Sequence, residues 1–249
     1  MNDFYKLNKN YAELLEKIPV EYYEKYIFNI EKFLKSANHK FLDIGCGIGT
    51  VVDHLNARNL DVYGVDVSDL FVNYSKARSN NLGNKIFTYD GLKLPFESCF
   101  FDVCGSFNVL EHVDDPLSFI KEMNRVLKKS GIGIIVCPNF LSVFFRLGNL
   151  TTNSFRKRLL NLFKIIKMIY NKTHCFEKMK MIEKPNFEED DDAIVKTNII
   201  SIINLLKLEG NEIIHVSGVT KKYNFFVELV SSFPFFRLLL TSCFVIYRK

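Results

Sequence analysis

Glycine recurs at alternate positions in one short segment, directly after an apolar run. Residues 41–44 (FLDI) lead into GCGIGT at 45–50, and a helical pattern follows. Glycine has no Cβ, so this backbone can approach a ligand closely, and a helix that begins beyond it presents free N–H groups. Asp43, at the end of the apolar run, can accept hydrogen bonds that hold the loop. The spacing predicts a ligand-binding turn between a strand and a helix.

A glycine-rich turn of this kind also occurs in nucleotide-dependent dehydrogenases, so the spacing has to separate the two classes. Counted from Gly45, the dehydrogenase pattern requires a third small residue, glycine or alanine, at position 50. This sequence has Thr50 there and Gly49 one position earlier. The pattern counts against an oxidoreductase, and a tight turn without any ligand is the structural alternative.

Two further acidic residues follow the next two apolar runs. Asp66 ends the run 62–66, about 20 residues beyond the loop, where a carboxylate can accept both hydroxyl groups of a ribose. The alternative role at this place is a helix N-cap, which Ser68 can equally supply. Asp90 and Gly91 lie in a turn after the third run, where an acid and adjacent backbone can bind the amine and ring edge of adenine. Taken with the loop, Asp66 favours ligand binding.

Residues 38–138 resemble the class I S-adenosylmethionine-dependent methyltransferases, most closely the branch that includes ubiquinone and menaquinone biosynthesis enzymes and sugar methyltransferases. The resemblance lies in DIGCGIGT at 43–50, Asp66, DGLKLPF at 90–96, FDV at 101–103, NVLEHVDDP at 108–116 and LKKSGIG at 127–133. The last segment has Lys129-Ser130-Gly131 where the family usually has proline-glycine-glycine. The resemblance implies S-adenosylmethionine as the cofactor.

The resemblance also implies a role for each matched position. The implied contacts are Asp43, Gly45, Cys46, Gly47 and Gly49 with the methionine portion, Asp66 and Val67 with the ribose, Asp90 and Gly91 with the adenine, and Asn108 near the sulfonium. His112 is the candidate general base, since the resemblance places it near the transferred methyl and its ordinary pKa lies near neutrality. Packing in a helix start is the alternative for His112. His174 is a second candidate, with a surface position as its alternative.

The rest of the pattern predicts an α/β fold: a Rossmann-like, seven-stranded, mostly parallel sheet with helices on both faces, N-terminal helices and a helical insertion before the last strands. The predicted strands are 40–44, 61–66, 85–89, 101–107, 131–138, 212–216 and 242–248, with a helix at 197–209. We predict a single methyltransferase domain over 1–249. Its parts are N-terminal helices (1–39), a cofactor-binding core (40–138), an insertion or lid (139–192) and the C-terminal part of the sheet (193–249).

Composition and charge narrow the remaining choices. The chain has 249 residues and a formal net charge of +5. Its sequence shows no separate basic recognition domain, which counts against methylation of nucleic acid. Its six cysteines form no CxxC pair, which predicts a reducing compartment and no metal site. The polar N-terminus lacks an apolar signal core, so a cytoplasmic location is expected. The apolar segment 225–247 contains Glu228, Pro234 and Arg237, and we interpret it as a helix, a turn and a buried strand.

Two charged segments lie in the predicted insertion. Residues 144–167 are basic and amphipathic, which favours a lid over the acceptor and leaves peripheral contact with an anionic membrane as the alternative. The acidic run 188–192 is interpreted as a solvated loop, with binding of a cationic acceptor or a metal as the alternative.

The predicted function is methyl transfer from S-adenosylmethionine to an oxygen, nitrogen or carbon of a small or lipid-linked acceptor, in surface-polysaccharide or quinone biosynthesis. The alternative from another class is a non-catalytic, S-adenosylmethionine-binding partner subunit that keeps the glycine loop without the acceptor chemistry.

Overall fold

The computed structural model describes residues 9–36, 38–79, 82, 84–142, 166–168, 170–180, 192–219, 237 and 240–249. The strands are β1 (Lys40–Ile44), β2 (Asp61–Asp66), β3 (Ile86–Thr88), β4 (Phe101–Phe107), β5 (Leu127–Pro138), β6 (Glu177–Lys178), β7 (Val195–Lys196), β8 (Glu212–Ser217) and β9 (Ser242–Arg248). β6 and β7 pair with each other in a short antiparallel ribbon, and the other strands form one seven-stranded sheet.

The order of strands in the sheet is β3-β2-β1-β4-β5-β9-β8. β1 to β5 are parallel, while β9 is antiparallel to both of its neighbours, β5 and β8. The chain moves outward from β1 to β3 and then returns to the other side of β1 with β4. Open α/β sheets bind ligands at such a reversal, in the crevice beyond the carboxyl ends of the strands. The predicted mostly parallel sheet is confirmed.

Helices cover both faces of the sheet, as predicted. They are α1 (Lys9–Glu16), α2 (Glu24–Phe33), α3 (Thr50–Asn56), α4 (Asp69–Arg78), α5 (Pro116–Val126) and α6 (Ile199–Leu208). Side chains alternate across a strand, so Phe41 of β1 packs in one core with α2, α3 and α4, while Leu42 packs in the other with α5 and α6. α1 packs through Ala12 against Ile48 and Phe71, which places it beside the turn after β1.

The strand boundaries agree closely with the sequence pattern: β3 is one residue shorter at each end, β8 is one residue longer, and the larger difference is at β5. Strands β1, β2, β4 and β9 begin and end where they were predicted. β5 begins at Leu127 instead of Gly131, because Leu127 already pairs with Phe101 of β4; the register then shifts before Ile132, and Ser130 in this stretch is left-handed with φ of 62°. Ser130 N–H donates to the carbonyl of Lys249 at 3.1 Å, and Lys249 N–H donates to that of Gly131 at 3.0 Å.

Several predicted segments lie wholly or largely outside the described residues: the basic amphipathic stretch up to residue 165, residues 188–191 of the acidic run, and most of the segment before β9. The division into a core, an insertion over 139–192 and a C-terminal part stays a prediction. Among the residues that the structure describes, no helix has both the length and the apolar character needed to cross a membrane.

Candidate active site

Three glycines with positive φ shape the turn after β1. Gly45, Gly47 and Gly49 have φ values of 75°, 53° and 74°, a region that other residues rarely adopt. The N–H groups of Gly45 and Cys46 both donate to the carbonyl of Val65, at 2.7 and 3.0 Å, which joins the turn to β2. Gly49 is the N-cap of α3. The turn therefore lies where β1, β2 and α3 meet, at the carboxyl end of the sheet.

Asp66, the last residue of β2, holds this turn from its other side. Its Oδ2 accepts a hydrogen bond from Gly47 N–H at 2.8 Å, and its Oδ1 accepts one from Ser68 N–H at 2.9 Å. Burial raises the pKa of Asp66 to about 6, although these N–H groups lower it. Ser68 caps α4, because its Oγ accepts from Phe71 N–H at 3.4 Å. Each carboxylate oxygen can accept a second hydrogen bond, so Asp66 can hold the turn and a ligand together.

Asp43, on β1, is a second buried carboxylate. The hydroxyl of Tyr26 on α2 donates to its Oδ1 at 2.8 Å. Burial raises the pKa of Asp43 to about 7, while the Tyr26 hydrogen bond lowers it and the Asp66 charge raises it further. The Tyr26 hydroxyl lies over Gly105 of β4, where a Cβ would come within 2.0 Å of it. Glycine at position 105 is therefore what allows Tyr26 to reach Asp43.

The glycine turn, Asp43 and Asp66 line one cavity of about 570 Å³ at the carboxyl ends of the central strands. Small-molecule sites usually have about 300–1,000 Å³. The predicted site residues on the wall are Asp43, Gly45, Cys46, Gly47, Asp66, Val67, Asn108 and His112. Asn108 directly follows β4 and has φ of 53°, and its N–H donates to the carbonyl of Val136 at 2.9 Å. The structure thus brings most of the predicted positions together from separate segments of the chain.

Three predicted positions do not lie on the wall that the described residues form. Gly49 packs against the sheet instead, since a Cβ there would come within 2.5 Å of Ile86 Cδ1. Asp90 is exposed, and its Oδ1 accepts hydrogen bonds from two N–H groups of its own turn, each at 2.8 Å. Tyr89, directly before Asp90, lines the cavity. The contact of Asp90 and Gly91 with adenine stays a prediction.

The sequence did not identify the residues that close the cavity on its N-terminal side. Leu15 of α1 lies over the turn, where its Cδ1 would be 3.2 Å from a Cβ at Gly47. Tyr22 and Tyr23 pack edge-on against Phe107, with ring centroids 5.6 and 5.0 Å apart. The same side also contributes Leu14, Lys17, Ile18 and Pro19. Apolar spacing in this part of the sequence indicates helices, but it carries no signal for the surface that they cover.

Three titratable side chains lie close together on another part of the wall. Glu111 and His112 belong to a 3-10 turn after β4, and Asp192 comes from the segment before β7. His112 Nδ1 is 3.3 Å from the main-chain carbonyl of Asp192. Its Nε2 is 3.7 Å from Glu111 Oε1 and 3.8 Å from Asp192 Oδ2. Burial lowers the pKa of His112 to about 4, so the imidazole is neutral at pH 7 and can accept a proton.

Asp192 shows that the interpretation of the acidic run as a solvated loop is wrong at its last residue. Asp192 is 3% exposed, and burial raises its pKa to about 6. The N–H of Ile194 donates to the carbonyl of Glu111 at 2.9 Å, which fastens this segment to the turn that carries His112. His174, the second candidate base, is exposed and lies apart from the wall formed by the described residues. This agrees with the alternative, a surface position.

Comparison with known proteins identifies the family. A family profile described as a methyltransferase domain matches residues 42–135, which include the glycine turn, Asp66 and His112. A ubiquinone biosynthesis O-methyltransferase of Pelagibacter ubique is 32% identical over 177 residues, which are 70% of this chain and 65% of that enzyme. The crystal structure of a SAM-dependent methyltransferase from Aquifex aeolicus has a TM-score of 0.59 at 17% identity, over 98% of each chain. Residues 42–135 therefore form a methyltransferase domain of the class I S-adenosylmethionine-dependent type.

This assignment confirms the predicted family, enzyme class and cofactor. An uncharacterized protein from Methanocaldococcus jannaschii is 29% identical to this methyltransferase over 215 residues, covering 86% of this chain and 76% of its own. This chain spans 65% of the length of the Pelagibacter enzyme. The acceptor of that enzyme therefore bears on this methyltransferase only as a proposal.

The cavity of this methyltransferase fits S-adenosylmethionine. Gly45 and Gly47 leave the main chain of the turn open to a ligand, and the Asp66 carboxylate on the same wall can accept hydrogen bonds from hydroxyl groups such as those of a ribose. Tyr89 supplies an aromatic ring beside them. The buried carboxylates of Asp43 and Asp66 favour a ligand that carries an ammonium and a sulfonium, because an opposite charge stabilises their ionised forms.

Proposed function

We propose that this methyltransferase transfers the methyl group of S-adenosylmethionine to a small or lipid-linked acceptor, with His112 as the base where the acceptor must lose a proton. One observation carries the proposal: a single cavity contains both the glycine turn with Asp66 and the group formed by Glu111, His112 and Asp192. The first part suits the cofactor, and the second supplies a neutral imidazole for proton transfer.

The sulfonium of S-adenosylmethionine supplies a methyl group that is already activated for transfer. The residues of this chain have to hold the two reactants in line, exclude water and accept a proton. Asp66 and the glycine turn orient the cofactor, while the aromatic wall of Tyr22, Tyr23 and Phe107 covers the cavity with apolar surface. His112 is the proposed base, because its imidazole is neutral at pH 7 and lies on the described wall beside the carboxylates of Glu111 and Asp192, which can stabilise the protonated ring.

The proposed acceptor classes are quinone precursors and the sugars of surface polysaccharides. Similarity to the ubiquinone O-methyltransferase of Pelagibacter ubique supports the first class. The sequence resemblance to sugar methyltransferases supports the second. The basic stretch 144–167 is proposed to be a lid over the acceptor, or a surface that contacts an anionic membrane carrying a lipid-linked acceptor.

Calorimetric titration tests cofactor binding first. S-adenosylmethionine and S-adenosylhomocysteine should bind and NAD should not. Quinone precursors, nucleotide sugars and lipid-linked glycans are then assayed as acceptors by following S-adenosylhomocysteine formation. Binding without transfer to any acceptor would favour the non-catalytic partner subunit, and failure to bind either cofactor form would refute the proposal.

The variant His112→Gln tests the base. It should keep the affinity for S-adenosylmethionine and lower kcat by roughly 10²- to 10⁴-fold for an acceptor that loses a proton. His174→Gln is the matched control, because His174 is exposed and lies away from the cavity. A His112→Gln enzyme with unchanged kcat would show that His112 is not the base.

A further inference from the structure

Asp192 makes two contacts with His112 that differ in kind, one through its main chain and one through its carboxylate. We infer that Asp192 is a positioning residue for His112: its carbonyl sets the tautomer of the imidazole, and its carboxylate stabilises the ring once it has accepted the proton of the acceptor. The inference rests on the proposed function and deepens it, because it predicts an acceptor that loses a proton from oxygen or nitrogen.

The main-chain contact determines which ring nitrogen is basic. The Asp192 carbonyl oxygen lies 3.3 Å from His112 Nδ1, and a carbonyl can only accept a hydrogen bond. Nδ1 must therefore carry the hydrogen. A neutral imidazole has one N–H group, so the lone pair is on Nε2. The tautomer that takes up a proton at Nε2 is thus selected by the main chain of the segment before β7.

The carboxylate contact acts after the proton has moved. Asp192 Oδ2 and Glu111 Oε1 are 3.8 and 3.7 Å from Nε2, distances suited to an ion pair but longer than a hydrogen bond. Burial alone disfavours the imidazolium, and an ionised carboxylate at this distance opposes that effect. Asp192, with a pKa raised by burial to about 6, is mostly ionised at pH 7.5.

The position of Asp192 is built into the fold by the ribbon of β6 and β7. Ile194 N–H donates to the Glu111 carbonyl at 2.9 Å, and Met179 N–H donates to the Ile194 carbonyl at 2.7 Å. From β6, the ammonium of Lys178 donates to the main-chain carbonyl of Asp114. Contacts from both sides of the ribbon therefore hold it to the segment 111–114, and Asp192 is placed beside His112 as a result.

The acceptor oxygen or nitrogen forms a bond to the methyl carbon, the bond from that carbon to sulfur breaks, and its electron pair stays on sulfur. The proton of the acceptor moves to His112 Nε2. The other titratable side chains on the described wall are Lys17, Tyr22, Tyr23, Asp43, Cys46, Asp66, Tyr89 and Glu111. Of the groups on this wall, Glu111 and Asp192 have ion-pair distances to His112 below 4 Å.

Nitrogen NMR of the full chain with labelled histidine tests the inference without an acceptor. Signals that disappear in His112→Gln are assigned to His112. At pH 7.5, with or without S-adenosylhomocysteine, the native ring should be the neutral tautomer with hydrogen on Nδ1. A neutral ring with hydrogen on Nε2, or a ring already protonated at this pH, would overturn the inference. This result is independent of cofactor binding, so its failure is distinct from failure of the proposed function.

The variant Asp192→Asn tests the carboxylate, since it keeps the main-chain carbonyl and the size of the side chain. It should keep the tautomer and the affinity for S-adenosylmethionine, lower the pKa of His112, and lower kcat for a hydroxyl or amine acceptor by roughly ten- to a hundredfold, less than loss of the whole base. The acid limb of kcat against pH should move to lower pH. Asp69→Asn, an exposed aspartate at the start of α4 that does not line the cavity, is the matched control. If the pKa of His112 and kcat are both unchanged in Asp192→Asn, the role of the carboxylate is refuted. If the variant does not fold, the His112 tautomer in the native protein still tests the role of the Asp192 carbonyl.

Discussion

Replacing Asp66 with alanine removes one carboxylate that has two tasks. In the free protein its oxygens accept hydrogen bonds from Gly47 N–H at 2.8 Å and Ser68 N–H at 2.9 Å. In the complex with S-adenosylmethionine the same oxygens are expected to accept the two ribose hydroxyl groups. Alanine takes away both the ribose contact and the anchor that holds Gly47 in its left-handed conformation.

The expected loss of affinity follows from these contacts. A hydrogen bond to a charged group contributes about 1.5–3 kcal/mol, so two ribose contacts amount to roughly 3–6 kcal/mol. A change of about 1.4 kcal/mol corresponds to a factor of ten in the dissociation constant. Asp66→Ala should therefore weaken binding of S-adenosylmethionine by roughly 10²- to 10⁴-fold, and Asp66→Asn should lose less because an amide oxygen can still accept one hydrogen bond.

Isothermal calorimetry at pH 7.5 measures this loss, with thermal unfolding to verify that each variant is folded. Asp61→Asn is the matched control: Asp61 begins the same strand, pairs with Lys40 and Lys85, and does not line the cavity. It should bind S-adenosylmethionine as the native protein does. If Asp66→Ala binds within threefold of the native affinity, the assignment of the ribose to Asp66 is wrong.

Two further predictions concern stability. Burial raises the pKa of Asp43 from the ordinary aspartate value of about 4 to about 7, so the folded chain binds more protons than the unfolded chain between these pH values. The cofactor-free protein should therefore lose stability as pH rises through that window. Asp43→Asn keeps an oxygen for the Tyr26 hydroxyl and should flatten this dependence in urea unfolding at pH 5 and pH 8; an equally steep dependence would contradict the pKa. Gly45→Ala should lower the free energy of unfolding by about 2–5 kcal/mol, because φ is 75° and the new Cβ would lie 2.3 Å from Val109 Cγ2. Gly210→Ala, with φ of 81° and no atom within 4 Å of the new Cβ, should lower it by about 1–2 kcal/mol. Equal losses in urea unfolding would show that the contact with Val109 is not the cause.

Most of the sheet could be predicted because its signals are local. Buried strands are short apolar runs bounded by polar residues or glycine, so β1, β2, β4 and β9 were located to the residue. The start of β5 could not be located, because its first residue, Leu127, is followed by Lys128 and Lys129, which are not apolar, and by Ser130, which has a left-handed φ and donates a hydrogen bond to the Lys249 carbonyl. A contact with the last residue of the chain has no local signature.

The cofactor side of the cavity could be predicted for the same reason. The glycine turn and Asp66 lie within one β-α-β unit, and their spacing follows from the geometry of a strand, a turn and a helix. Gly49 lies in the same turn, yet the structure packs it against Ile86 and not on the described cavity wall. Sequence spacing indicates which residues belong to the turn, but the packing of the neighbouring strand decides which of them face the ligand.

The proposed acceptor side, where Asp192 meets His112, was not predictable in the same way, because these residues meet only through tertiary packing. His112 and Asp192 are 80 positions apart, and Asp192 ends a run of acids whose composition indicates solvent exposure. What buries it is the short run that follows, in which Ala193 and Val195 are buried and β7 pairs with β6. The same glycine turn can bind its cofactor in enzymes that act on different acceptors, so the turn does not identify the acceptor. The side chains that α1 and the segment around Asp192 add to the cavity are therefore the proposed determinants of acceptor choice.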